Sequence, residues 1–111
     1  GIPTCTSVRK ARAWLDAHGI AYRFRDFKEE PPSAGELERW ADHAGWDRVL
    51  NRRGRTFRAL SDAEKESLNR AKALGLMQAQ SSLIKRPIIE DDTGVMTVGF
   101  DEDVMAALWL P

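Results

Sequence analysis

Hydrophobic positions along this chain follow two rhythms. Steps of three and four residues mark most of it, and shorter, strand-like runs lie at residues 21–27 and 86–100. Val8, Ala11, Trp14, Leu15 and His18 form one stripe and predict a helix over residues 6–19. Thr6 or Ser7 can cap its first turn, and Gly19 ends it. In residues 21–27, AYRFRDF, Tyr22, Phe24 and Asp26 alternate with Arg23, Arg25 and Phe27, an imperfect strand pattern. Pro31 and Pro32 then break the chain, and Ser33 with Glu36 has the spacing of a capping box. The helix it opens carries Leu37, Trp40, Ala41 and Ala44 on one face and closes at Gly45.

A short turn is expected over residues 46–50, followed by the arginine-rich stretch NRRGRTFR. Ser61 with Glu64 repeats the capping spacing, and Leu68, Ala71 and Leu74 would line the helix after it. Gly75 is expected to interrupt that helix before a further turn through Leu76, Met77 and Ala79. The run RPIIEDDTGVMTVGF reads as two short strands joined at Asp92-Thr93-Gly94. Asp101 begins a final helix carrying Val104, Met105, Leu108 and Trp109. An early parallel crossover and a late antiparallel hairpin predict an α/β fold, one mixed sheet flanked by helices.

At 111 residues the chain is expected to form one domain. Its 17 basic and 17 acidic residues balance, so bulk charge gives no push toward nucleic acid or membrane. No apolar run approaches the roughly 20 residues of a membrane span, and no signal peptide opens the chain. One cysteine excludes an internal disulfide and suits a reducing, cytoplasmic setting. The sequence opens at Gly1 without a methionine, and a few residues of a hydrophobic first strand are expected upstream.

That cysteine, Cys5, falls in a turn just before the predicted first helix. Free N–H groups and the helix dipole there favour a thiolate, and Arg9 and Lys10 add positive charge. A lone cysteine equally suits a buried small hydrophobe. Its position excludes several chemistries. A dithiol motif needs a cysteine where Val8 stands, and a phosphatase-type loop needs an arginine where Ala11 stands. His18 and His43 sit in predicted helices and offer neither a protease partner nor, with one cysteine, the ligand spacing of a metal site.

Two basic features remain. Arg48, Arg52, Arg53, Arg55 and Arg58 fall within eleven residues, with no acid between Arg48 and Ser61. Guanidinium groups bind carboxylates and oxyanions through paired hydrogen bonds, and such a cluster reads as an anion site or a solvated loop. Nucleic acid is the weaker option, because Phe57 is the lone interleaved aromatic. In KRPII, Pro87 opens a strand behind Lys85 and Arg86, and the bond before it is a candidate cis peptide.

Together these residues resemble the arsenate reductase family, which includes glutaredoxin-coupled arsenate reductases, Spx-type regulators and YffB proteins. The opening GIPTCTSVRKARAWLDAHGIAYRFRDF is similar to YffB and Spx proteins, and GWDRVLNRRGRTFRAL to the YffB middle. LIKRPII resembles a segment shared across the family, and VGFDEDVMAALWLP the Spx-like ending. The resemblance implies a thioredoxin-like fold with a helical insertion at roughly residues 30–82. It implies Cys5 as nucleophile, Arg52 and Arg86 as substrate- or anion-binding residues, and Pro87 as the cis-proline facing the thiol.

The departures narrow the activity. The third arginine of such arsenate reductases is replaced by Gly99, and the histidine four residues before the cysteine by Gly1. Val8 precludes the CxxC switch usual in Spx regulators. The expectation is a monothiol oxidoreductase acting on an anionic or mixed-disulfide substrate. It would hold no bound cofactor or metal and would use glutathione or a glutaredoxin-like partner as reductant. The alternative is an Spx-like, non-enzymatic module that contacts a transcription protein.

Overall fold

The computed structural model describes residues 3–111, with side chains described from residue 6 onward. Two compact units emerge. One joins the stretch up to Phe24 to Arg86–Pro111, and the other is the intervening Arg25–Lys85.

In the first unit, helix α1 spans Pro3–Ala17. It therefore begins three residues earlier than the apolar stripe implies, with proline at its first position, where a missing N–H costs nothing. Its end is a Schellman-type turn. Gly19 takes φ 66°, and the Ile20 N–H donates to the Leu15 carbonyl at 2.9 Å. Ala11, Trp14 and Leu15 are buried, whereas His18 is exposed and rests beside Trp14 with ring centroids 4.4 Å apart.

Residues 21–26 form no ladder with any described strand, contrary to the alternation of their aromatics. A strand exists only through its partner's hydrogen bonds, and here the aromatics are engaged from the side. The Arg12 guanidinium lies 4.4 Å from the Phe24 ring centre, and its Nε donates to the Tyr22 hydroxyl at 3.2 Å.

The later hairpin forms as its turn residues dictate. β1 (Ile88–Glu90) pairs antiparallel with β2 (Met96–Val98), Ile88 opposite Val98 and Ile89 opposite Thr97. Asp91 Oδ1 accepts from the Thr93 N–H, the Thr93 hydroxyl and the Val95 N–H, at 2.8, 2.6 and 3.1 Å. Its other oxygen accepts from the Trp109 indole N–H at 2.9 Å, and these bonds hold the Asp91 carboxyl down at about 2. Trp109 ends helix α7 (Glu102–Trp109), capped by the Asp101 carboxylate. Met105 is the buried residue of α7 and packs with Trp14 and Leu15, joined by Ile20, Ile89 and Phe100. Val104 and Leu108, expected on that face, are exposed, because the anchored Trp109 turns the helix to present Met105.

In the second unit the first predicted cap forms in full. Ser33 and Glu36 make a reciprocal capping box at the start of helix α2 (Ala34–Ala44), which buries Leu37, Trp40 and Ala41. The expected turn after it is a four-residue helix, α3 (Trp46–Val49), and a second, α4 (Arg55–Arg58), follows the arginine bend. Ser61 and Glu64 also form their capping box, but helix α5 (Asp62–Lys65) is a single turn. The break expected at Gly75 lies earlier. Ser67 takes φ 52°, and the Asn69 side chain caps helix α6 (Arg70–Ala79), which runs unbroken through Gly75. The buried positions of α6 are Ala73 and Met77, while Ala71 is exposed, because the new cap resets the helical phase. Lys72 Nζ reinforces the break by donating to the Ala63 and Glu66 carbonyls.

The described ladders are thus the hairpin and an isolated antiparallel bridge between Leu50 and Ile84. The parallel crossover read from the sequence is absent among the described residues. None of their helices is long and apolar enough to cross a membrane.

Arg25 fastens the start of the second unit. Its guanidinium forms a two-pronged pair with the Glu36 carboxylate and donates to the carbonyls of Glu30 and Pro31. The Arg25 hydrogen bond, helped by those of Ser33, holds the Glu36 carboxyl at about 2, well below its ordinary 4.5. The folded state therefore gains stability from ionised Glu36 above pH 4.5 and loses it as pH falls from 4.5 toward 2. Urea midpoints at pH 6 and pH 3 should differ less for Glu36→Gln than for the parent. At pH 6 the variant should be less stable by about 1 kcal/mol, a charged hydrogen-bond contribution reduced by partial exposure. Equal pH responses would refute this role.

Candidate active site

Cys5 is the third residue of α1, so its backbone lies inside the first helical turn, not in a turn ahead of it. The first-turn N–H groups have no intrahelical acceptors, and the positive end of the dipole favours negative charge there. The Cys5 side chain lies outside the described residues.

Arg86 and Pro87 belong to the same unit as Cys5, and the bond between them is cis. Pro87 precedes β1 directly, and its carbonyl accepts from the Gly99 N–H at 2.8 Å, extending the hairpin by one pair. Arg86 is half-buried, and its Nε has no hydrogen-bond partner among the described residues although solvent does not reach it. A buried guanidinium N–H is costly to leave unsatisfied, so Arg86 is suited to an incoming anion.

The structure adds one residue that sequence reasoning missed. Thr97 Oγ1 is also buried without a partner among the described residues. Thr97 stands opposite Ile89, on the strand face from which Ile89 reaches the Trp14–Met105 core. A polar residue flanked by Val95, Met96 and Val98 at an inward strand register was the available signal.

Arg52 lies in the other unit. Its place is fixed locally. The Asn51 N–H donates to the Leu83 carbonyl and the Lys85 N–H to the Val49 carbonyl, both at 2.7 Å, on either side of the Leu50–Ile84 bridge. The Asn51 side chain then accepts from the Arg53 N–H at 3.1 Å and rounds the bend. Arg52 emerges from that bend exposed, its guanidinium 5.7 Å from the Trp46 ring centre.

The ArsC family model matches residues 1–108. This chain belongs to the ArsC family. It is 38% identical over 103 residues to the global transcriptional regulator Spx of Listeria innocua, covering 91% of this chain and 77% of the regulator. The solved structure of the YFFB protein superimposes with a TM-score of 0.88 at 47% identity, covering 96% of this chain and 93% of that one. An arsenate reductase (ArsC) related protein from Brucella melitensis superimposes at 0.73 with 40% identity, covering 100% and 92%. The ArsC-family fold is therefore the thioredoxin-like α/β architecture of the arsenate reductase-like thiol oxidoreductases.

Gly99 gains a meaning within this family. Its φ of 81° is one that residues with a side chain rarely adopt. An arginine there would carry strain as well as charge. Gly99→Arg should lower stability by about 1–2 kcal/mol in urea unfolding, and a variant as stable as the parent would contradict the assignment.

Proposed function

We propose that the chain is a glutathione-dependent monothiol oxidoreductase. The observation carrying this reading is its single cysteine, placed in the first turn of a helix in an ArsC-family fold. With no second cysteine in the chain, an external thiol must complete the cycle. The Cys5 thiolate attacks the glutathionyl sulfur of a mixed disulfide. The sulfur–sulfur bond breaks, a Cys5–glutathione disulfide forms, and the departing thiolate takes a proton from water. A second glutathione thiolate then attacks that disulfide, releasing oxidised glutathione and restoring the Cys5 thiolate.

Arg86 serves as the cation for a glutathione carboxylate or an oxyanion substrate, supported by its buried Nε, which has no partner among the described residues. Arg52 is assigned a second anion contact on the family resemblance alone. Arsenate is a poor substrate in this reading, because the third arginine place is a glycine whose backbone disfavours any side chain. Likeness to Spx supports a second reading, a non-enzymatic module contacting a transcription protein. Val8 leaves such a module without a CxxC switch.

The two readings separate in an assay that couples reduction of a glutathione mixed disulfide to glutathione reductase and NADPH. Turnover should vanish in Cys5→Ser. In Arg86→Ala the KM for the mixed disulfide should rise about ten- to a hundredfold, the worth of one charged hydrogen bond. A parent rate no higher than that of Cys5→Ser would discard the enzyme reading.

A further inference from the structure

The anion contact assigned to Arg52 leaves four arginines of its neighbourhood without a role. Arg48, on α3, and Arg53, Arg55 and Arg58, around α4, are all exposed. None of the four takes part in an ion pair among the described residues. Arg55 and Arg58 stand three apart on α4 and so share a face.

Two of the nearby acids, Asp47 and Glu64, are engaged elsewhere. Asp47 Oδ1 lies over Gly45 at the start of α3, so close that a Cβ on that glycine would stand 2.8 Å away. Glu64 accepts from the N–H and hydroxyl of Ser61, each at 3.0 Å. Lys65 adds positive charge beside α4, with Nζ bonded to the Arg58 carbonyl at 3.0 Å and 5.6 Å from the Phe57 ring centre. A chain of zero net charge thus concentrates uncompensated guanidinium groups in one short segment.

We propose that Arg48, Arg53, Arg55 and Arg58 form a docking surface for an acidic segment of another protein. The choice of partner follows from what surrounds the charges. Trp46 and Phe57 are both partly buried, and each already faces a cation, so neither offers a free ring on which bases would stack. The helices presenting the arginines have four residues each, too short to lie along a nucleic-acid major groove. Guanidinium forks without aromatic platforms match carboxylates. This surface is independent of the thiol chemistry proposed for Cys5, and its test requires no turnover.

The probe is a fluorescein-labelled decaglutamate peptide, titrated with the full chain at low salt and followed by fluorescence anisotropy. Arg53→Gln/Arg55→Gln/Arg58→Gln should weaken binding about tenfold or more, since each exposed charge pair contributes about two- to fivefold. The charge-matched control Arg9→Gln/Lys10→Gln/Lys28→Gln should change it less than about twofold. If the triple variant melts early, Arg55→Gln and Arg58→Gln are titrated singly, and each should show its own two- to fivefold loss. Equal losses in patch and control variants would overturn the proposal, as would no binding by the parent. A ten-base-pair DNA duplex that displaces the peptide at lower concentration would also overturn it, assigning the surface to nucleic acid.

Discussion

Two backbone hydrogen bonds join the ends of a long loop in the second unit. The Asn51 N–H to Leu83 carbonyl bond and the Lys85 N–H to Val49 carbonyl bond clasp two segments more than thirty residues apart in sequence. Between them Leu50 and Ile84 bridge and are buried, so the bonds form in a dry environment where leaving them unmade is expensive. Closing so long a loop costs little more entropy than closing a short one. The Thr56–Ser82 hydroxyl pair, at 2.8 Å, continues the clasp on the far side of the arginine bend. The bend carrying Arg52 is consequently tied down on both sides, with the Arg52 and Arg53 side chains exposed.

The local chemistry of the sequence carried over where a feature is encoded by residues close together. Both Ser–Glu capping boxes, the Gly19 stop, the Asp92-Thr93-Gly94 turn and the Asp101 cap follow from short-range hydrogen bonding. The misses share a different cause. Residues 21–26 have strand composition, but a ladder depends on a partner that composition does not reveal. The break at Ser67 and Asn69 was hidden because apolar spacing continues across it, whereas Gly75 drew attention by type and is accommodated within the helix. On α7 the periodicity allowed several faces, and the bond between Trp109 and Asp91 chose the one that buries Met105.

For the candidate site, residue type singled out Cys5 and the KRPII segment, and the family resemblance assigned anion contacts to Arg86 and Arg52; Cys5, Arg86 and Pro87 fall in one unit and Arg52 in the other. That Arg86 Nε and Thr97 Oγ1 lack partners among the described residues could not have been read from the sequence, since satisfaction of a polar group is a property of its surroundings. Gly99 shows the reverse dependence. Its missing side chain is visible in the sequence, but the reason another residue would fit poorly is a backbone angle.

The central claim is that Cys5 exchanges with glutathione through a covalent intermediate. Intact-protein mass spectrometry after incubation with oxidised glutathione addresses it directly, followed by peptide mapping and a chase with excess reduced glutathione. One glutathione per chain is expected, located on Cys5 and removed by the chase with recovery of the free thiol. An unmodified protein throughout the range from pH 7 to pH 9 would contradict it.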